Sequence, residues 1–401
     1  MSPVITEWLN LVLRWFHVLV GIGWIGTSFF FIWLDAHLTP RKAASEHSVG
    51  EIWLFHSGGY YEVEKRRFVP VEVLPALHWF KWEAYLTWIS GFALLVIVYY
   101  LGGGAYLIDR SVADLSQASA IALGVGSLAI GWLVYDALWR SPLARSEPLA
   151  SAISLVLLVG AAYGLAHLLS GRAAYIHVGA LLGTLMAANV WLVIQPAQRR
   201  MFAANRAGEV PDPRWGAKAK QRSVHNNYLT LPVVFAMISG HYPGTYGHPY
   251  NWAILIALFL AGAGVRHFLN TYEGAGRAAG WVLAASLAAV IALAIVTASP
   301  PGGSATTGGA ASGGSVSFAE AHAVLDERCL SCHSAHPKDD LFREPPNGVA
   351  FDTPDQIKRL VDRIKLRVVD TRTMPLANKT GMTEEERVLI GRWIAEGAPL
   401  D

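Results

Sequence analysis

The stretch WLNLVLRWFHVLVGIGWIGTSFFFIWL, residues 8–34, decides the fold class because it is long and apolar enough to cross a bilayer. A membrane-spanning helix needs about 20 mostly apolar residues, since its backbone polar groups must bond within the segment. Seven further stretches have this character, of which the sixth is short, carries Pro232 and could be broken or re-entrant: 74–101, 117–139, 148–170, 174–196, 225–240, 251–270 and 279–298. The sequence therefore predicts an all-α, polytopic membrane bundle of about eight spans.

Composition divides the chain into two parts. Hydrophobic residues make up 53% of the sequence and charged residues 15%, but the apolar runs end near residue 298. The following stretch, 299–317, reads SPPGGSATTGGAASGGSVS, which is typical of a flexible linker. We therefore predict a membrane domain over 1–298, a linker over 299–317 and a small domain over 318–401. No basic tail or nucleic-acid motif is present, so nucleic acid is excluded as a partner.

The distribution of Lys and Arg predicts the orientation, because cytoplasmic loops carry the excess of positive charge. The first apolar run is too long for a cleaved signal peptide and lacks a cleavage site, so it counts as the first span. The loops after the even-numbered spans hold only Arg110 and Arg172, whereas those after the odd-numbered spans are rich in Lys and Arg. Eight spans then place both termini and the small domain in the periplasm of a bacterial inner membrane.

The only two cysteines lie in Cys329-Leu-Ser-Cys332-His333, which matches the haem attachment signature C-x-x-C-H. Two thiols at this spacing can each bond to one porphyrin, and the adjacent histidine can bind its iron. A redox dithiol or half of a zinc site is the alternative, but a structural zinc site takes four ligands and no second cysteine pair exists. The motif predicts a covalent haem c in a class I cytochrome c domain, on the side of the membrane that the charges indicate.

The second axial ligand of that haem is expected to be a methionine or a histidine. We favour Met374, since Pro375 follows it and would hold the loop rigid. Met382 is the competitor, but it directly precedes the helix cap formed by Thr383 and Glu386, where a methionine often packs against the next turn. His336 is a third choice, too near His333 in the chain to reach the opposite face easily.

Two histidines fall at matching places in a weak internal repeat. His17-Val18 in span one is followed by Gly23, and His177-Val178 in span five by Gly183, at the same offset. This pattern is typical of a parallel four-plus-four repeat. One hypothesis is that His17 and His177 bind a haem b between helices. The alternative is that they form interhelical hydrogen bonds; copper has no supporting Cys or Met cluster.

A second group of polar residues is predicted at the cytoplasmic end of the bundle. Lys and Arg can hold an anion, amides can bind the edge of a planar heterocycle, and His can transfer protons. The alternative is a belt of side chains reaching for the membrane interface. The candidate catalytic and binding residues are His78, Lys81, His225, Asn226, Asn227, Arg266 and His267.

Four membrane stretches carry a family resemblance: WFHVLVGIGWIGTSFFFIWLD (15–35), EIWLFHSGGYYEVEKRR (51–67), HWFKWEAYLTWISGF (78–92) and HNNYLTLPVVFAMIS (225–239). They resemble the membrane-bound urate oxidases, also called urate hydroxylases, which join a multi-span domain to a C-terminal cytochrome c. The resemblance implies oxidation of urate to 5-hydroxyisourate with oxygen from water. It also implies that electrons pass through the fused haem to a downstream cytochrome c or terminal oxidase. The resemblance assigns no catalytic residues.

Two other functions compete with this enzyme. One is a respiratory membrane cytochrome that oxidises a quinol or another donor. The other is a non-enzymatic conduit in which the membrane part only anchors the cytochrome. An anchor needs one span, so eight spans with His, Lys and Arg within them disfavour the conduit.

Overall fold

The computed structural model describes residues 3–40, 47–67, 77–101, 105–275, 279–298, 315–340, 342 and 344–401, and these are mostly helical. The predicted all-α membrane bundle is confirmed in this respect. Its helices before residue 207 are α1 (Pro3–Ala36), α2 (Trp82–Leu95, extended by a π-helical turn Val96–Tyr100), α3 (Gln117–Arg140), α4 (Glu147–Ala166), α5 (Gly171–Ala188) and α6 (Gln195–Arg206). A π-helical turn, Asn189–Ile194, joins α5 to α6 without a break. The later helices of the bundle are α7 (Pro213–Ile238), the single turn α8 (Pro243–Tyr246), α9 (Asn251–Ala275) and α10 (Gly280–Ala298).

Seven described segments are long and apolar enough to cross a membrane, which agrees with a multi-pass protein. They are Ile5–Ala36, Trp82–Tyr100, Gln117–Arg140, Glu147–Ala166, Gly171–Arg206, Asn251–Tyr272 and Gly280–Thr297. The sixth predicted span, 225–240, is not among them. It forms the second half of α7, whose first half, PRWGAKAKQRSVHNN, is polar. Seven of the eight predicted spans are therefore apolar segments of this kind, and the sixth belongs to α7, a helix with a polar first half that packs among them.

Helix α7 nevertheless runs the length of the bundle beside α5. Near its middle, Asn226 bonds to the Met186 carbonyl of α5, and near its end Ala236 lies against Gly179. These contacts make α7 antiparallel to α5. The helix continues through Pro232, whose ring packs on Gly262 of α9, with 3.4 Å from the proline Cδ to where a Cβ on Gly262 would lie.

An antiparallel hairpin between α1 and α2 was absent from the sequence prediction. Its strands are β1 (Ser48–His56) and β2 (Gly59–Arg66), joined by a turn in which Ser57 and Gly58 both have positive φ. Large apolar rings point out of it, and Trp53 and Phe55 are both exposed. The all-α class therefore holds for the bundle and for residues 315–401, which we call the tail, but not for this insertion.

Residues 315–401 build a separate small core. Its helices are α11 (Phe318–Arg328), α12 (Pro354–Arg359), α13 (Val361–Ile364) and α14 (Glu384–Ala395). The predicted capping box is confirmed, since Thr383 and Glu386 each accept the other's backbone N–H, and Gly397 at φ +93° follows the end of α14. The predicted linker lies outside the described residues up to 314. Its last residues belong to the tail, because Val316 is buried there.

Candidate functional site

Charged and amide side chains gather inside one end of the bundle, where α3, α5 and α7 meet. The 3.6-residue period of each helix places these side chains on the face that the helix turns toward its neighbours. We call this group the first polar cluster; it comprises Tyr135, Asp136, Asn189, Arg222, His225 and Asn226. Asn189 begins the π-helical turn after α5, and such turns occur frequently at functional sites.

Arg222 is the charged centre of the first polar cluster and is fully buried. Its Nη2 donates to Asp136 Oδ1 at 2.9 Å, and its guanidinium carbon lies 4.7 Å from the centre of the Tyr135 ring. Its Nε and Nη1 have no hydrogen-bond partner among the described residues. A buried donor without a partner costs about 1–3 kcal/mol, so these two N–H groups mark a place for an acceptor, above all an anion.

A chain of hydrogen bonds runs beside this guanidinium. The Tyr135 hydroxyl bonds to Nδ1 of His225 at 2.7 Å and accepts from the Asn189 amide at 3.1 Å. The same amide nitrogen lies 2.9 Å from Asn226 Oδ1, and Oδ1 of Asn189 is left without a partner among the described residues. Trp139 supports the imidazole of His225, with 4.1 Å between ring centres. A phenol bonded to an imidazole can move a proton, and the free amide oxygen can accept from a ligand N–H.

A second polar cluster lies on the other side of α7, because consecutive residues of a helix point about 100° apart. Asn227 Oδ1 accepts from Nε of Arg266 at 3.1 Å and from Nδ2 of Asn270 at 2.8 Å. His267 bonds through Nδ1 to the hydroxyl of Tyr228 at 2.8 Å. Five members of the predicted inner group therefore lie in two clusters that flank one helix: His225, Asn226, Asn227, Arg266 and His267.

His78 and Lys81 are not brought into either cluster. His78 is exposed and packs edge-on against Phe80, while Lys81 lies 5.5 Å from the ring centre of Trp82. Both precede α2, at the rim of the bundle. The contacts of these two side chains agree with the interfacial alternative rather than with a shared site.

His17 and His177 both pack against α2 and its π-helical extension, at different heights. Nδ1 of His17 bonds to the Ser90 hydroxyl at 3.0 Å, and Nε2 of His177 bonds to the Tyr100 hydroxyl at 3.0 Å. Ser90 and Tyr100 are ten positions apart, or about 15 Å along a helix. Both imidazoles thus form the interhelical hydrogen bonds of the second hypothesis. The bis-histidine haem b stays a prediction, and no step below is routed through it.

The C-x-x-C-H motif follows α11 in the tail. Cys329 is buried and Cys332 half-buried, and burial raises the pKa of the Cys329 thiol to about 12. His333 Nδ1 lies 2.9 Å from the Val349 carbonyl, which leaves Nε2 free to bind an iron. Burial also lowers the His333 pKa, which favours the neutral, ligating imidazole. These residues fit a covalently attached haem.

The candidate axial methionines have different surroundings. Met382 is buried in the tail core, as expected of a packing residue. Met374 lies at the edge of that core, and its backbone carbonyl accepts from Nη1 of Arg387 at 2.8 Å. His336 is exposed and only three positions from His333. Met374 remains the favoured ligand. Within the described ranges, no group of three or more His, Cys, Asp or Glu residues could hold a metal ion.

The helical bundle with a buried guanidinium and imidazoles near one end defines a polytopic membrane protein with an internal polar site. The family model "Urate oxidase N-terminal" matches residues 3–298, which is most of the chain. The chain therefore belongs to this urate oxidase family, and an oxidoreductase activity related to urate follows from that membership. Searches of curated proteins and of solved structures find no match.

Sequence reasoning missed Tyr135, Asp136, Asn189 and Arg222. A signal existed for two of them, since Asp136 and Asn189 lie within predicted apolar spans, where polar residues indicate function. Arg222 was counted among the basic loop residues, because the predicted sixth span began only at 225. The structure instead places it in the middle of α7.

Proposed function

We propose that this protein oxidises urate to 5-hydroxyisourate and binds the urate anion at the first polar cluster. Membership of the urate oxidase family supports the substrate. The observation that carries the site is Arg222, a fully buried guanidinium with two N–H groups left for an acceptor. Urate is a planar monoanion at neutral pH, so it matches a planar cation with amides beside it.

The proposed reaction consumes water: urate and one H₂O give 5-hydroxyisourate, two protons and two electrons. Arg222 holds the anion, and Asp136 fixes the guanidinium in place. The free Oδ1 of Asn189 accepts a ring N–H and orients the plane of the purine. His225, bonded to Tyr135, takes a proton from the attacking water.

A haem c attached at Cys329 and Cys332, and held by His333 and Met374, would be the acceptor in this proposal. When bound, such a haem would supply one-electron transfer. The hydrogen bond from His333 Nδ1 to Val349 orients the imidazole. The electrons pass on to a downstream cytochrome c or terminal oxidase. In this proposal, the protein sits in the bacterial inner membrane with both termini and the tail in the periplasm.

The decisive experiment is anaerobic. Urate is added to oxidised protein in detergent, and the absorption of the c-type haem is followed, with xanthine and allantoin as controls. We expect urate alone to reduce the haem, and ¹⁸O from labelled water to enter the product. A haem that stays oxidised with urate but is reduced by a quinol would replace the proposal by the respiratory cytochrome.

A further inference from the structure

The tail contacts the end of the bundle that lies away from the polar clusters. Nη1 of Arg367 in the tail donates to the Tyr246 hydroxyl of α8 at 3.3 Å. Next to it, a Cβ on Gly247 would lie 2.6 Å from the Thr371 carbonyl oxygen and 2.8 Å from the Thr371 Cβ. The turn over residues 242–247 thus has backbone against backbone with the tail, and Gly247 leaves room both for this approach and for the Pro243 carbonyl of its own turn, which a Cβ would meet at 2.8 Å.

The tail segment in this contact is the one that ends at the candidate haem ligand. Thr371 is buried and bonds to the Leu366 carbonyl, and the Met374 N–H bonds to the Arg367 carbonyl at 3.0 Å. Arg387 of α14 holds the same segment through the carbonyls of Val368 and Met374. Residues 365–374 therefore form one hydrogen-bonded unit, and whatever positions Thr371 also positions Met374.

On the bundle side of the contact, Tyr246 begins a row of aromatic rings that extends into the protein. Tyr246 is buried with its ring centre 6.3 Å from that of Tyr175, and Tyr175 lies 6.3 Å from Phe235. The Tyr175 hydroxyl donates to the Asn251 carbonyl at 2.7 Å, which fixes the start of α9 beneath the turn. These contacts hold the turn in place against α5 and α9. Phe235 lies eight residues, or about 12 Å, along α7 from Asn227 of the second polar cluster.

We propose that the turn 242–247 is the docking surface for the tail segment 365–374, and that Gly247 is the residue that permits docking. The functional role of this contact, as the place where electrons leave the bundle, rests on the proposed function. Because a linker joins the two parts, docking is an intramolecular equilibrium governed by the effective concentration of the tail. Small changes at the contact therefore alter the docked fraction.

Gly247→Ala in the full-length protein tests the surface, and Gly244→Ala is the matched control. Both glycines lie in the same turn, but a Cβ on Gly244 meets nothing within 4 Å. Amide hydrogen exchange is measured over 242–251 and 365–374. We expect both segments to exchange faster in Gly247→Ala, and neither to change in Gly244→Ala. Equal exchange in the two variants, or a change confined to 242–251, would overturn the docking surface.

A second pair of variants changes only the tail side of the contact, so a disturbed turn in the bundle cannot explain their result. Arg367→Ala removes the hydrogen bond to Tyr246, and Arg359→Ala replaces an exposed arginine at the end of α12. Since the rate scales with the docked fraction, we expect urate to reduce the haem about tenfold more slowly in Arg367→Ala only. Reduction by ascorbate, which needs no docking, is expected to be unchanged.

The outcomes separate the two proposals. If urate fails to reduce the haem of the unaltered protein, the proposed function fails, while the exchange measurement still decides the docking surface. If urate reduces the unaltered protein, Gly247→Ala and Arg367→Ala at the same rate, the role of this contact in electron transfer is refuted, the proposed function stands, and the exchange measurement decides the docking surface.

Discussion

Replacing Arg222 by lysine tests the anion site while the positive charge is kept. The lysine ammonium can still pair with Asp136, but the Nε and Nη1 donors that face the site are lost. A hydrogen bond to a charged group contributes about 1.5–3 kcal/mol. The loss of one such bond therefore raises the Kd for urate by about 10- to 150-fold.

Binding is measured by calorimetry on protein reduced beforehand with ascorbate, so that urate binds without reacting. Arg140→Lys is the matched control, because Arg140 pairs with the other oxygen of Asp136 from an exposed position. Exposed pairs contribute about 0.2–1 kcal/mol, so the control changes the Kd by less than about fivefold. An unchanged Kd in Arg222→Lys, or equal changes in both variants, would refute the placement of urate at Arg222.

Three further predictions concern packing, acid stability and the haem. Gly124→Ala is expected to cost about 1–3 kcal/mol of stability and so to lower the thermal midpoint, since its methyl would lie 2.6 Å from Nε2 of His177. Gly126→Ala, whose methyl would meet nothing within 4 Å, is expected to leave the midpoint unchanged. The bond from Arg328 lowers the pKa of Glu386, so its stabilisation is present above the unfolded pKa and lost as the pH falls through the folded one. Glu386→Gln, which keeps the capping box, is expected to flatten the acid side of the tail's stability profile in denaturant titrations. Met374→Ala is expected to lower the haem reduction potential in spectroelectrochemistry, and an unchanged potential would exclude it as the ligand.

The number of helices could be read from the sequence because lipid demands long apolar segments, and seven of the eight predicted spans are such segments. The exception is α7, whose polar first half exposes Arg214, Lys218 and Lys220 and buries only one face, which carries Arg222, Asn226 and Asn227. Hydropathy averages a helix over its length and all its faces, so the exposed basic residues of α7 lower its value below that of an apolar span. The hairpin was missed because its first strand is apolar on both faces, with Trp53 and Phe55 exposed on one of them. No alternation of apolar and polar residues therefore marks it as a strand.

The candidate site was partly predictable. Asn226 and Asn227 were expected to converge with Arg266, and the bond from Arg266 to Asn227 joins two of them. His78 was expected to join them because it precedes a span, yet position along the chain does not fix the direction of a side chain at a helix start. The bond between Asn189 and Asn226 arises only from how α5 and α7 pack together, which a single sequence does not encode in any local pattern.

The polarity of α7 has a consequence for how the protein is made. Arg222, Asn226 and Asn227 lie on one stretch of α7, and such polar residues disfavour the insertion of a single helix into lipid. Alone, α7 would not partition into lipid as it leaves the ribosome. It enters the membrane only beside α5, with α9 completing its cover, so the bundle is finished after its last helices are synthesised. A chain that stops before α9 would leave α7 outside the membrane and the first polar cluster unformed.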